Sequence, residues 1–400
     1  MVETVIVRKA YRFRVYPTSD QEARLLQWES ALRYLWNLAH EQRCLGLARP
    51  RDERRYYTAF DQIGELKALR AELPWLDDVP RNVCAQLLVE LDKAWQRCFK
   101  RVGRKPRWKR KGRDFLGLTE PHPKVWRLCG SVLRFPKLGN LRMVLHRPIE
   151  GTAKTCTLRR EGDQWFASLL CESEVAAPAP RTSPVVALDR GVVNVVADSD
   201  GKLVQSPRFY ERALKRLARA QRSVSRRKKG SNNRDKAKLR VARLHRKVGR
   251  QREHVIQTLS HTYAKSHGTV VVEKLNTSGM VRANRGLSRG ILDAGWGRLV
   301  ECLRYKLAWS GGQLVEVPAH YSSQTCSHCG AVDAASRKTQ SDFCCTACGY
   351  CDHADLNAAK VLKARANRSC LPTEASGLPS RRSGKVSLRV PRRSSQSSAL

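Results

Sequence analysis

Two short cysteine repeats in the last quarter of the chain have the spacing of a zinc site. Cys326 and Cys329 are separated by two residues, and Cys345 and Cys348 repeat that spacing after an interval of fifteen residues. A two-residue interval lets one tight turn present both sulfurs to a tetrahedral ion, and the glycine after each pair permits the backbone conformation that such a turn needs. We therefore predict one structural Zn2+ bound by these four thiolates.

Two further cysteines, Cys344 and Cys351, lie beside the second pair and make its assignment less distinct, although only Cys345 with Cys348 reproduces the full repeat. Disulfide bonding is the alternative use of these thiols.

The chain has no run of 18 apolar residues, and its first sixteen residues alternate apolar and charged side chains, unlike a secretory signal. We expect a cytoplasmic protein whose 14 cysteines are thiols or metal ligands, because disulfides would be reduced there.

Three carboxylates that are far apart in the sequence have contexts that could direct them to one point. Asp189 ends the apolar run 185–188 and Glu273 ends the apolar run 269–272, as expected of buried strands. Asp355 begins a helix whose apolar positions share its face. Burying an ionised carboxylate among apolar residues costs free energy unless an opposite charge neutralises it. A divalent cation would do so, and carboxylate oxygens suit Mg2+ or Mn2+. Each acid alone is more typical of a salt bridge, whereas two ions held by all three would support phosphodiester hydrolysis.

The charge balance points to a polyanionic partner. The chain has 76 Lys and Arg residues against 36 Asp and Glu residues, a net charge of +40. Such an excess repels itself unless a polyanion compensates it. A basic protein bound to a membrane surface is the alternative, but it needs an apolar helix or a lipidation signal, and the sequence shows neither. We predict nucleic acid as the partner and no membrane association.

The periodicity predicts the elements that must position these side chains. Alternating residues predict a strand over 4–16, and three- and four-residue steps predict helices after Thr18 or Ser19 and after Pro80. The apolar stripe of the second helix consists of Val83, Leu87, Leu88, Leu91, Trp95 and Phe99. Later strands, which with the first would form a small barrel, are predicted at 133–135, 143–146, 156–160 and 165–171. The Ala- and Pro-rich residues 176–184 are typical of a linker, and the strands and helices after them predict an α/β domain.

Two segments concentrate the positive charge. Residues 100–113 contain nine basic residues, no acidic residue and Trp108, a pattern that favours phosphate binding with a stacking platform. Residues 207–254 contain 19 basic and three acidic residues, and 229–234 is the predicted turn of a helical hairpin there. For both segments a merely solvated surface is the alternative. Residues 371–400, with eight serines and six basic residues, are typical of a disordered tail.

Several motifs resemble TnpB, a family of transposon-encoded RNA-guided DNA endonucleases related to miniature type V CRISPR effectors. Besides the cysteine pairs, the motifs around the three acids are Ala187-Leu-Asp189-Arg-Gly191, Val272-Glu273-Lys-Leu275-Asn276 and Asp352-His-Ala-Asp355-Leu-Asn357-Ala-Ala359. Further matches are Tyr11-Arg-Phe-Arg-Val-Tyr-Pro17, Phe135-Pro-Lys-Leu-Gly139, Asp293-Ala-Gly-Trp296 and Ser323-Gln-Thr-Cys326. The resemblance covers about residues 8 to 365.

The resemblance implies a multidomain α/β protein with a β-barrel. A wedge (OB-like) barrel would comprise 1–17 and 116–180, with a helical recognition insert at 18–115. An RNase H-like (RuvC-like) nuclease domain would comprise 181–318 and 352–366, with a zinc ribbon inserted at 319–351, the basic hairpin at 207–254 and a basic tail at 367–400. Its catalytic triad would be Asp189, Glu273 and Asp355, binding two Mg2+ ions, with Mn2+ as an alternative. The family more usually has Leu-Gly after the first acid, whereas this chain has Arg190 and Gly191, which alters the electrostatics beside the metals.

The hypothesis that joins these observations is an RNA-guided DNA endonuclease. A guide RNA would pair with one strand of target double-stranded DNA beside a short flanking motif, so the protein would need no sequence-reading helix. The alternatives are an RNA-bound regulator that occupies DNA without cutting it, and an RNA-independent transposase. The sequence predicts neither the oligomeric state nor the flanking motif.

Overall fold

A seven-stranded antiparallel sheet and a five-stranded mixed sheet carry the fold in the computed structural model, which describes residues 4–114, 116–283 and 286–370. The strands of the first sheet are β1 Thr4–Tyr16, β2 Leu118–Glu120, β3 Arg127–Cys129, β4 Val132–Phe135, β5 Gly139–Val144, β6 Thr152–Glu161 and β7 Gln164–Ala176. Their order is β2-β6-β7-β1-β5-β4-β3. The pairings leave β2 and β3 as edges, so within the described residues the predicted barrel is an open half-barrel.

β1 is the central strand of this sheet and has the predicted bounds. Tyr11, Phe13 and Val15 are buried and alternate with exposed residues, as the period of two requires. The strand pairs with β7 without interruption from Thr4 to Val15. The predicted strands 133–135, 156–160 and 165–171 lie within β4, β6 and β7. The predicted strand 143–146 overlaps β5 only at its last two residues, and β2 and β3 were not predicted.

Four helices are inserted between β1 and β2: α1 Ser19–Ala48, α2 Ala59–Glu72, α3 Pro74–Asp77 and α4 Arg81–Phe99. Thr18 caps α1 as predicted, and Gln21 completes a capping box. The predicted stripe of α4 is buried except for Phe99, which is 47% exposed. Assigning Phe99 to the core was wrong, because it is the last helical residue and lies edge-on against the Tyr56 ring.

The strands of the second sheet are β8 Val185–Asp189, β9 Asn194–Asp198, β10 Leu203–Gln205, β11 Thr269–Lys274 and β12 Gln313–Pro318. Their order is β10-β9-β8-β11-β12, with β8, β11 and β12 parallel and the other pairings antiparallel. The remaining helices are α5 Phe209–Ser225, α6 Asn232–Ser266, α7 Thr277–Ala283, α8 Ser288–Ala294, α9 Trp296–Trp309 and α10 Ala354–Cys370. This mixed α/β arrangement confirms the predicted class for this half of the chain.

Helices cover both faces of the second sheet, and strand alternation assigns each residue to a face. Leu188 and Val272 belong to a core shared with α6 and α9. Ala187 and Val271 belong to a different core, shared with Leu362 of α10. The odd-numbered residues of β8 and β11 therefore face α10.

α5 and α6 form the predicted basic hairpin, but its bounds differ from the prediction. α6 begins at Asn232, capped by Ser231, so the turn ends earlier than residue 234. α6 also continues to Ser266, well past residue 254, because Ile256 and Tyr263 are buried in the core with α9. The hairpin thus consists of a charged outer part and an apolar end anchored on the sheet.

Between β12 and α10 the chain forms a small unit with a two-stranded sheet, β13 Asp342–Cys344 and β14 Cys351–His353, and a 3-10 helix at Ala334–Ser336. The predicted disordered tail, residues 371–400, lies outside the described residues. Within the described ranges, none of the helices combines the length and apolar character that crossing a bilayer requires.

Candidate active site and metal centre

Asp189 and Glu273 lie side by side at the carboxyl ends of two adjacent parallel strands. Leu188 pairs with Val272, so the next residue of each strand is one of these acids. Both have odd numbers and therefore face α10, as Ala187 and Val271 do. The apolar runs predicted these positions, because a run that packs on both faces is a buried strand.

Asp355 lies in the first turn of α10, the helix that covers this face. Asn194, the first residue of β9, donates from Nδ2 to Asp355 Oδ2 at 2.9 Å. Arg337, just after the 3-10 helix, places Nη2 3.8 Å from Asp355 Oδ1. Two side chains from different elements therefore orient this carboxylate.

The turn between β8 and β9 has no room for a larger residue at Gly191. A Cβ there would lie 2.7 Å from the main-chain oxygen of Asn194, closer than real contacts allow. Trp296 Nε1 also donates to the Gly191 carbonyl at 3.2 Å. This tight turn returns the chain so that Asn194 lies beside the acids.

The three carboxylates share one electrostatic environment. Burial raises the pKa of Asp189 well above its usual range, and the Glu273 and Asp355 carboxylates raise it further against the opposing charges of Arg337 and Arg190. Burial also raises the pKa of Glu273, while Arg190 and a hydrogen bond from Asp189 oppose that shift. Like charges held this close disfavour full ionisation, so a proton or a cation must compensate them.

The acids fit a hard divalent cation by their ligand chemistry. All three offer carboxylate oxygens, and Mg2+ and Mn2+ prefer such ligands. Among the described residues, the four cysteines form a group close enough together to hold a metal ion, whereas the three acids do not form such a group. Arg190 contacts Glu273, and Arg337 contacts Asp355, so arginines compensate these two acids. The structure therefore brings the predicted acids together without forming a closed cation cage.

The four predicted zinc cysteines form a compact cluster, with all Sγ atoms within 4.8 Å of one another. Cys326 and Cys348 are 3.8 Å apart, and Cys329 and Cys345 are 3.6 Å apart at Sγ. A tetrahedral ion with bonds of about 2.3 Å requires sulfur separations of about 3.8 Å. The sulfurs therefore already have the spacing of a zinc tetrahedron.

Both cysteine turns have the same backbone hydrogen bonds. Gly330 N–H donates to the Cys326 carbonyl, and Gly349 N–H donates to the Cys345 carbonyl, each at 3.0 Å. Both glycines have positive φ, 79° and 73°, a conformation that L-residues with a Cβ adopt at a cost. The repeated Cys-x-x-Cys-Gly pattern thus corresponds to a repeated structure.

Cys344 and Cys351 form a disulfide across β13 and β14. They are directly opposed in this antiparallel pair, with Cα atoms 4.1 Å apart. The expectation that every cysteine is a thiol or a metal ligand was wrong for this pair. The disulfide leaves the second zinc pair as Cys345 and Cys348, as predicted.

Asn357 connects the cysteine-rich unit to α10. Its side chain is fully buried, accepts a hydrogen bond from Ser327 N–H at 2.9 Å and donates to the Thr325 carbonyl at 2.8 Å. Asn357 is two residues beyond Asp355, so the cluster and the last acid belong to one connected unit. The sequence motif contained Asn357, but its role was not predicted.

A basic groove of about 1590 Å3 lies between the half-barrel and helices α6 and α9. It is lined by ten Lys or Arg residues and three acidic residues, with Tyr11, Tyr305 and Trp309 on its walls. Arg246 donates to Asp163 at 2.8 Å and thereby joins α6 to the β6–β7 turn. The groove thus combines positive charge with aromatic rings in a fixed frame.

Three family models match the chain. "Probable transposase" matches residues 168–284, "Cas12f1-like, TNB domain" matches 296–362, and "Helix-turn-helix domain" matches 1–43. The described residues of the range 1–43, which matches the helix-turn-helix model, form strand β1 and part of helix α1 rather than two helices.

Curated relatives match along nearly the whole chain. It is 31% identical over 376 residues to "Putative RNA-guided DNA endonuclease InsQ" of Escherichia coli (strain K12), with 89% of this chain and 92% of that protein covered. A "Putative RNA-guided DNA endonuclease" of Streptomyces pristinaespiralis is 32% identical over 364 residues, with 90% and 89% covered. The chain belongs to the TnpB family. This confirms the resemblance on which the sequence interpretation rested.

The TnpB-family chain also has a Cas12f-like fold. It matches the "Cryo-EM structure of the Cas12f1-sgRNA-target DNA complex" with a TM-score of 0.54 over 89% of this chain and 98% of that chain. The two sequences are 13% identical, so the likeness concerns the fold alone.

Proposed function

We propose that this protein is an RNA-guided DNA endonuclease whose catalytic residues are Asp189, Glu273 and Asp355. The observation that carries this proposal is their convergence: Asp189 interacts electrostatically with both other carboxylates, although Asp355 lies far along the chain. Membership of the TnpB family and the names of the matched relatives support the same activity.

The architecture supports a finer division of the chain. The second sheet with α10 suits an RNase H-like (RuvC-like) nuclease domain, into which the four-cysteine unit is inserted as a zinc ribbon. The half-barrel suits the wedge, and α1 to α4 suit the recognition insert. The ranges proposed for these domains are those that the sequence resemblance implied.

The residues around the acids would prepare them for catalysis. Two Mg2+ ions, or Mn2+ in their place, would supply water activation and stabilise the leaving oxygen of a DNA phosphodiester. Asp189 and Glu273 would bind from neighbouring strand ends, and Asn194 would hold Asp355 in the orientation needed to join them. Four cysteine thiolates would bind a structural Zn2+ that stabilises the unit preceding Asp355.

The basic groove is the proposed site for RNA. Its ten Lys or Arg residues would neutralise backbone phosphates, and its aromatic walls would stack on bases. Delegating sequence recognition to base pairing suits a surface that carries much charge and reads no sequence by itself.

Cleavage of matched double-stranded DNA with bound guide RNA tests the proposal. Asp189→Ala, Glu273→Ala and Asp355→Ala should each abolish Mg2+-dependent cleavage and largely preserve RNA binding. Asp235→Ala, which removes an exposed acid of α6, is the matched control and should cut normally. Full activity in any of the three variants would remove that acid from the catalytic site. Binding without cleavage by the wild-type protein would instead indicate a regulator, and RNA-independent action would indicate a transposase.

A further inference from the structure

Arg190 is an arginine buried at the point where the acids meet. Its side chain is 3% exposed, and its Nε lies 4.0 Å from Glu273 Oε1. Its main-chain N–H donates to the same Oε1 at 3.3 Å, and its Nη2 donates to the main-chain carbonyl of Glu273. One residue therefore holds both the backbone and one carboxylate oxygen of Glu273.

The burial of this guanidinium needs an electrostatic explanation. Arginine stays protonated in proteins, and a buried charge is costly unless an opposite charge lies close. The Nε atom of Arg190 is buried, and it has no hydrogen-bond partner among the described residues. The side chain is therefore stabilised by the neighbouring carboxylates rather than by a complete set of hydrogen bonds.

The same carboxylate would bind a divalent cation, so the guanidinium and the cation compete for one negative group. A fixed positive charge beside a cation site lowers the affinity for the cation. The main-chain N–H of Arg190 also holds Oε1, which leaves the other oxygen of Glu273 available to a metal.

We propose that Arg190 is a positioning residue that acts as an internal counter-cation of Glu273. It holds the glutamate in place without a metal and keeps the affinity for divalent cations below what the three acids alone would give. This inference rests on the proposed assignment of the acids as metal ligands.

Mn2+ titration of the full-length protein freed of nucleic acid tests this role, with Asp189→Ala as the blank. Arg190→Gln should bind Mn2+ on the order of tenfold more tightly than wild type, because a like charge has been removed. It should also cleave DNA with a lower kcat at saturating Mn2+, because the main-chain carbonyl of Glu273 loses its hydrogen bond from Nη2. Arg190→Lys keeps the charge and should bind Mn2+ like wild type. Arg252→Gln, which removes an arginine paired with Asp293, is the matched control and should leave Mn2+ affinity unchanged.

Thermal unfolding in buffer without Mg2+ or Mn2+ gives a second readout that does not depend on activity. Arg190→Gln should lower the Tm, and Arg190→Gln combined with Glu273→Gln should restore part of the loss because Glu273 no longer leaves a buried charge without its partner. Unchanged or weaker Mn2+ binding in Arg190→Gln, or a still lower Tm in the double variant, would overturn the inference. If the wild-type protein binds no more Mn2+ than Asp189→Ala does, the metal site itself is absent and the proposed function fails with it.

Discussion

At the scale of single residues, Asn194 is the side chain that most directly supports Asp355. It is 7% exposed and donates to Oδ2 of the acid. A hydrogen bond to a charged group contributes about 1.5–3 kcal/mol, and partners of metal-binding carboxylates typically change metal affinity or activity by about 10- to 100-fold. We therefore expect the asparagine to affect catalysis although it is not itself one of the three acids.

Replacing Asn194 tests this support. Asn194→Ala should slow DNA cleavage by about 10- to 100-fold and raise the Mg2+ concentration needed for half-maximal rate, because Asp355 loses its orienting donor. Cleavage rates over a Mg2+ series measure both quantities. Asn367→Ala removes an exposed asparagine of α10, the helix that carries Asp355, and should leave the cleavage rate and its Mg2+ dependence unchanged. Equal Mg2+ dependence in Asn194→Ala and wild type would contradict the role.

The sequence predicted the three acids because each has a local signature. Asp189 and Glu273 end apolar runs, and Asp355 lies on the apolar face of a helix. Arg337 and Asn194 have no such signature. Their roles arise from tertiary contacts with Asp355, which lies 161 residues from Asn194 in the chain. Periodicity identifies which face a residue occupies but not which distant group it meets.

At the scale of elements, the cysteine unit and α10 depend on each other. Asn357 satisfies one backbone donor and one backbone acceptor in the unit, and both would be left unpaired if its side chain were removed. Each unsatisfied buried group costs about 1–3 kcal/mol. The last acid is thus positioned by a helix that is itself attached to the four-cysteine unit.

Asn357→Ala should accelerate zinc release and reduce DNA cleavage, since the unit loses its attachment to α10. Zinc release to a chromogenic chelator and cleavage assays measure these effects, with Asn367→Ala again as the control.

Cys348→Ala should lower both folded yield and zinc content, because metal binding contributes to folding. Metal analysis of the purified variant measures the content. A normal zinc content in that variant would contradict the assignment of Cys348 as a ligand.

The docking of α6 on the half-barrel depends on pH through Asp163. Burial would raise its pKa, but hydrogen bonds from Arg246 and Arg243 outweigh burial and lower the pKa from 3.8 to about 2. A carboxyl whose pKa is lower in the folded than in the unfolded state stabilises the folded state at pH values above its unfolded-state pKa. This stabilisation is lost as the pH falls towards the folded-state pKa of about 2. Asp163→Asn should therefore lower the Tm at pH 7, and its difference from wild type should shrink between about pH 4 and pH 2. Asp235→Asn, in an exposed pair with Lys238, should show little difference at any pH.

Element bounds were predicted less well than element types, for physical reasons. The basic hairpin was bounded at residue 254 by its charge, whereas α6 continues to Ser266 because Ile256 and Tyr263 are buried in the core with α9. α2 was not predicted, because Gln62 and Arg70, two of its three buried residues, are polar. These polar groups are satisfied by tertiary hydrogen bonds, such as those of Arg70 to main-chain carbonyls, which periodicity does not reveal.

At the scale of the whole molecule, the basic groove is formed by side chains from both halves of the fold. The half-barrel contributes Arg147 and Arg159, while α6 and α9 contribute Arg250 and Arg298. The net charge of +40 was apparent from composition, but the meeting of ten basic side chains in one groove was not. The segments that form the groove are distant in sequence, so only the fold brings them together.

RNA binding should respond to the removal of groove arginines in a salt-dependent way. Arg159→Ala should weaken binding of RNA regardless of its sequence and reduce the slope of log affinity against log salt by about 1, because one phosphate contact is lost. Arg127→Ala, on the edge strand β3 outside the groove, is the control. Equal slopes for wild type and Arg159→Ala would show that RNA binds elsewhere.

The position of Asp355 in the first turn of the last described helix has a consequence for synthesis. A ribosome translates both acid-bearing strands and all four cysteine codons before it reaches this aspartate. Every product interrupted upstream of codon 355 therefore lacks one of the three proposed ligands. A polypeptide that ends just before Asp355 would retain most of the positive charge of the chain, yet would lack the complete set of acids proposed to break a DNA strand.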